Sequence, residues 1–157
     1  LSAFLDEAYR NKSLKRINKT NTTAVGFFDK KITDFLRTQG IDTSERNGIM
    51  LEQSLITSEK FLKRHTAAGN APLPQEWKNL LDYLAEADVY WGFKKEKSTL
   101  LFLKKLSDLQ YVKIAVDVMA KERFLKLPKI DSMYYLNMEG DSGIDEYKRI
   151  LELKKIR

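Results

Sequence analysis

Apolar residues recur at three- and four-residue steps along most of this chain, and short polar turns separate the blocks. That spacing places side chains on one side of a helix. Ser2 is positioned to cap a first helix running to about Ile17, with Phe4, Leu5, Ala8, Tyr9, Leu14 and Ile17 near one side. After a polar turn over residues 18–23, Thr22 or Thr23 caps a second helix in which Val25, Phe28, Ile32, Phe35 and Leu36 keep register. Gly40 falls just past its end, where a left-handed residue is usual. Thr43 or Ser44 opens a third helix to about His65, with Leu51, Leu55, Ser58 and Leu62 in step.

Residues 66–74 form the clearest break. Pro74 suits the first turn of a fourth helix carrying Trp77, Leu80, Leu81 and Leu84. A fifth helix is expected from Lys94 to Leu109 and a sixth from Tyr111 to about Leu127, ended by Pro128. Residues 132–138 carry two tyrosines and read as a short extended piece. A last helix starts at about Ile144. Asp141, Asp145 and Glu146 lie at its start, and Lys154, Lys155 and Arg157 lie at its end, complementing the helix dipole. The pattern predicts an all-α bundle of six or seven helices. It forms a single helical domain over 1–157, and the absence of an initial methionine suggests part of a longer protein.

Charge sharpens the picture at one place. The chain carries 28 Lys+Arg against 22 Asp+Glu, a net +6, which favours an anionic partner. In residues 91–127 lysines interleave with the apolar positions, so this stretch reads as an amphipathic helical hairpin with a cationic outer face. The candidate partner- or anion-binding residues are Lys94, Lys95, Lys97, Lys104, Lys105, Lys121 and Arg123. Lys12, Lys15, Arg16 and Lys19 form a further basic cluster, and Lys126 and Lys129 extend the group begun by Lys121 and Arg123. Trp77, Trp91 and Phe93 read as core anchors rather than base-stacking platforms.

Candidate chemistry is sparse. Without cysteine there is no disulfide framework, thiolate nucleophile or zinc–sulfur site. The lone histidine, His65, sits beside Lys63 and Arg64 with no neighbouring carboxylate, which suits a helix-end cation better than a general base. Leu62 stands where a Glu-x-x-His metal motif needs glutamate. No glycine pattern for phosphate binding is present. The longest apolar run is far shorter than the roughly 20 residues a membrane span requires. These readings lead to no catalytic residue, no metal and no cofactor, and no membrane insertion is expected.

Leu101-Phe102-Leu103-Lys104-Lys105-Leu106-Ser107-Asp108-Leu109, followed after a short turn by Val116-Asp117-Val118-Met119-Ala120-Lys121-Glu122, resembles the helical N-terminal domain of transcription elongation factor TFIIS and elongin A. It is also similar to the integrase-binding domain of chromatin tethering factors. Trp91, Gly92, Phe93, Lys94 and Lys95, with Lys97 and Thr99, resemble the WKF domain of nuclear proteins. The resemblance implies a non-catalytic, nuclear protein-interaction module that docks acidic-hydrophobic peptides in transcription or chromatin. The alternative is a nucleic-acid-binding helical domain that uses its basic faces on phosphate, with steep salt dependence.

Overall fold

Between residues 112 and 118 every second side chain is β-branched and buried: Val112, Ile114, Val116 and Val118. Such a period of two lines one face of a strand, and this segment is a strand. We describe the fold from a computed structural model. It describes residues 1–13, 22–44, 47–57, 69–94, 97–122 and 125–157, with backbone alone at 12, 13, 57, 93, 94, 97, 121, 122, 125 and 126. Along the chain come α1 (Ser2–Ser13), β1 (Thr22–Phe27), α2 (Lys30–Thr38), β2 (Gly48–Glu52), α3 (Gln53–Thr57), α4 (Pro74–Lys78) and α5 (Leu80–Glu86). There follow β3 (Asp88–Lys94), β4 (Lys97–Ser107), β5 (Gln110–Glu122), β6 (Leu125–Asn137), α6 (Asp141–Leu151) and β7 (Lys154–Lys155).

The expected all-α bundle is therefore wrong. The fold is mixed α/β, built on a seven-stranded sheet in the order β1-β2-β6-β5-β4-β3-β7. The predicted fifth and sixth helices are strands of an antiparallel meander from β3 to β6. The physical reason lies in β4. Its apolar run reads as helix or strand alike, because Leu100 and Phe102 enter one core while Leu101 and Leu103 enter another. A strand buried on both faces loses the alternation that identifies it.

One face of the sheet carries the main core. Val89, Leu100, Phe102, Val112, Ile114, Val116, Ile130 and Met133 pack there with Leu5 of α1, Ile32 and Leu36 of α2, Ile56 of α3, Trp77 of α4 and Leu80 and Leu84 of α5. The opposite face holds a smaller cluster of Tyr90, Leu103 and Leu136, covered by Ile150 of α6 with Tyr147 and Leu153 at its margin. The meander joins the N-terminal hairpin through a parallel contact of β2 with β6 at Met50 and Lys129. β1 lies outside β2, antiparallel to it.

Several helical expectations survive in shortened form. The second helix is α2 alone. Asp29 caps it, its Oδ1 accepting from the Ile32 N–H at 3.0 Å, and the β-branched stretch before it is β1. Gly40 follows at φ +77°, where Gly40 N–H bonds Arg37 O and Ile41 N–H bonds Leu36 O. The third predicted helix divides into β2 and α3, and its remainder, with His65, lies outside the described residues. So do Leu14, Lys15, Arg16 and Ile17 at the end of the first helix, Lys19 of the turn after it, and residues 66–68 of the break. Residues 69–73 form neither helix nor strand, and Pro74 opens α4 as expected. Residues 132–138 are extended through Asn137 as part of β6, and the last helix begins at Asp141.

Candidate functional site at the open edge of the sheet

Of the seven predicted cations, the two with described side chains, Lys104 and Lys105, do not share a face. Consecutive residues of a strand point to opposite faces, so Lys104 and Lys105 of β4 diverge where a helix would have grouped them. Lys104 reaches back to Glu86 of α5 at 3.0 Å, and Lys105 bonds Asp108 in the following turn at 2.9 Å. The backbones of Lys94 and Lys97 face each other across the β3–β4 hairpin, and Lys121 faces Lys126 across β5–β6. The side chains of Lys94, Lys97 and Lys121, and the whole of Lys95 and Arg123, lie outside the described residues. The aromatic anchors fared better. Trp77 is buried, and Trp91 packs edge-on against Phe35 with ring centroids 5.4 Å apart. Phe93 lies outside the described side chains.

Two polar clusters sequence reading did not anticipate tie elements together. On the α6 side, Lys113 of β5 donates to Tyr134 Oη at 2.8 Å and to Glu146 Oε1 at 2.5 Å, and Tyr134 itself donates to Glu146. Burial works to raise the Glu146 carboxyl, but the ammonium and phenol bonded to it prevail and hold it below its ordinary value. On the main-core side, Tyr135 Oη donates to the buried Glu76 carboxylate of α4. Burial, then the bond to Glu76, pushes the Tyr135 phenol up, and burial with the charge of Glu76 pushes Tyr9 up to about 12. Each cluster satisfies its polar groups by joining a helix to the sheet. Among the described residues no group of three or more His, Cys, Asp or Glu side chains is placed to hold a metal ion.

The feature left over is the β1 edge. Among the described residues β1 pairs only with β2, so its outer backbone groups face away from the sheet. Its six residues, Thr22-Thr23-Ala24-Val25-Gly26-Phe27, include no charge and no proline. A bulge between Ala24 and Gly26 sends both Val25 and Gly26 toward the main core, where Leu84 packs 3.3 Å from the site a Gly26 Cβ would occupy. Thr22, Ala24 and Phe27 consequently lie on the other face, and Phe27 is 72% exposed. α6 does not reach this half of the face. A shallow hollow there is lined by Thr22, Met50, Glu52, Leu127 and Lys129, with Lys129 and Glu52 paired at 2.5 Å. The sequence signal for this edge was the β-branched start, Thr22-Thr23, followed by Val25.

No family model, no curated protein and no solved structure matches this chain. Among the described residues no helix is long and apolar enough to cross a membrane.

Proposed function

We propose that this chain is a protein-interaction module that takes an extended segment along β1, adding an eighth strand to the sheet. One observation carries the reading: a six-residue uncharged strand with a single hydrogen-bonding neighbour among the described residues, beside a half-open face bearing an exposed phenylalanine. An unpaired edge offers a row of donors and acceptors to an incoming strand, and the side chains flanking it set the preference. Selection of acidic peptides by a lysine-rich helical hairpin drops out of the proposal, because residues 97–107 and 110–122 form strands and Lys129, beside the edge, is paired with Glu52. A nuclear, transcription-associated setting rests on the resemblances of the stretches at about 100–122 and 91–99 alone.

The test is an NMR titration of the ¹⁵N-labelled chain with neutral, β-branched-rich strand peptides, with acidic-hydrophobic peptides and with oligonucleotides. Strand peptides are expected to shift the amides of β1 and Met50, with little change between 50 and 200 mM salt. Shifts confined to the cations of α6 and β7 with an oligonucleotide, lost about tenfold or more over that salt range, would support nucleic-acid binding instead.

A further inference from the structure

We propose that the occupant of the β1 edge is a second copy of this chain, paired antiparallel with Ala24 on the twofold axis. The proposal rests on the reading of β1 as a strand-accepting edge and deepens it by naming the partner. The register follows from the bulge. Against β2, Ala24 stands opposite Met50, Gly26 opposite Ile49 and Phe27 opposite Gly48, so Val25 and Gly26 share one pleat position. Seen from outside, β1 therefore has five positions: Thr22, Thr23, Ala24, the Val25–Gly26 pair, and Phe27. The first, third and fifth point to the half-open face, and the second and fourth to the main core.

A five-position strand with this alternation is self-complementary about its centre. Placing Ala24 opposite its symmetry mate sets Thr23 opposite the bulged pair and Phe27 opposite Thr22, with every pair on one face. Phe27 of each copy then lies beside Thr22 of the other, at the rim of the hollow that Thr22 forms with Met50, Glu52, Leu127 and Lys129. The exposed phenyl ring is a knob, the hollow is its recess, and the twofold axis makes the exchange reciprocal.

Charge on the strand itself permits this partner. Each copy carries +6, so most approaches between copies are repulsive. β1 holds no ionisable side chain, and pairing along it brings no ammonium group opposite another. An acidic foreign segment, by contrast, finds no cation on the strand to favour it. Five positions and one aromatic anchor bury less than the roughly 1,200 Å² of a standard stable interface, so the dimer is a weak one that dissociates on dilution.

Sedimentation-velocity runs on the full chain from roughly 10 to 500 µM test this directly, a range suited to an interface of that small size. The expected result is a concentration-dependent monomer–dimer equilibrium. Ala24→Lys places two ammonium groups face to face on the axis and should weaken association at least tenfold. Since Ala24 is exposed, its circular dichroism and melting temperature should match the parent. Mixing Ala24→Lys with Ala24→Glu should restore dimers, as only the heterodimer pairs opposite charges. A parent chain that stays monomeric to 500 µM, or a dimer indifferent to Ala24→Lys, overturns the inference. If the monomeric chain still binds strand peptides at β1, strand acceptance survives and self-pairing alone is lost; if it binds none, both fall.

Discussion

The two ends of this sheet are finished differently. At one end the outermost strand, β7, is two residues long, both are lysines, and the chain runs on from it into a set of tethers. Val89 N–H bonds the Arg157 carbonyl at 3.0 Å, and the Arg157 guanidinium bonds Leu84 O, Ala87 O and the Asp29 carboxylate at 2.7–2.8 Å. α6 covers the adjoining face. At the other end β1 runs six residues with no charge, with no covering helix on one face among the described residues, and Phe27 is exposed. Short strands, lysines and covering elements are the devices by which proteins stop sheets from joining edge to edge. One end uses all three and the other uses none beyond a bulge. The difference makes β1 the place where a partner strand can add.

The comparison breaks most severely if the finished end is opened. Gly143 in the first turn of α6 lies so close to the end of β6 that a Cβ there would stand 2.9 Å from both the N and the C of Asn137 and nearer still to its carbonyl oxygen. These are backbone atoms and cannot swing aside. Gly143→Ala should displace α6 and cost about 3 kcal/mol or more, read as a lowered urea midpoint with dye binding to the uncovered Tyr90–Leu103–Leu136 surface. Next in size is Arg157→Ala. Its guanidinium is mostly buried, satisfies the carbonyls at the end of α5, pairs with the Asp29 cap of α2 and stands over the Phe102 ring. Removing it leaves those acceptors unmet, for a loss of about 2 kcal/mol. The Asp29 carboxyl is held below its ordinary value, the Arg157 and Ile32 bonds outweighing burial, and should rise toward the ordinary value in the variant.

A smaller effect is expected at the clamp holding α6 to the meander. Glu146 has a lowered pKa in the folded chain because Lys113 and Tyr134 bond its charged form more strongly than burial opposes it. The linked stability is fully present above the ordinary carboxyl pKa of 4.5 and is lost as pH falls through the lower folded value. Glu146→Gln should therefore cost about 1 to 2 kcal/mol at pH 7 and abolish that part of the acid-limb decline. Urea melts from pH 7 to pH 3 decide it. Parallel curves for the two proteins would show that the clamp carries no proton linkage.

How much of this was legible depends on how each segment is buried. α2, α4, α5 and α6 bury one stripe and leave the rest in solvent, so Ile32 and Leu36, or Trp77, Leu80 and Leu84, repeat at helical steps. Gly40 and Pro74 punctuate them as their backbone preferences dictate. β5 was equally readable, since Val112, Ile114, Val116 and Val118 alternate, but its lysine and the neighbouring leucine run drew it into a helical reading. β4 was not, because Leu100 through Leu103 serve two cores at once. The helical grouping of Lys104 with Lys105 went with the helices, since consecutive residues cannot share a side in a strand. β1 showed as two threonines and a valine, too short to outweigh the helical pattern beyond it. Its status as an edge is a property of sheet order, set for β1 by pairings between residues 21 or more positions apart, which no local pattern records.

The finest test of the two ends asks which device guards β7. Lys154 and Lys155 are both exposed, and Lys155 lies 3.6 Å from Asp88 in a pair too solvated to matter to stability. The double variant Lys154→Thr, Lys155→Thr removes the charges and keeps the length. Two residues provide too few backbone groups to hold a second sheet, whereas β1 offers five positions and a phenyl knob. The melting temperature should stay within about 1 kcal/mol equivalent of the parent, and sedimentation should show the same monomer–dimer equilibrium. Growth beyond dimers would mean that an open edge at each end now links copies into chains. In that case charge guards the β7 edge, and the absence of charge on β1 weighs more than its length.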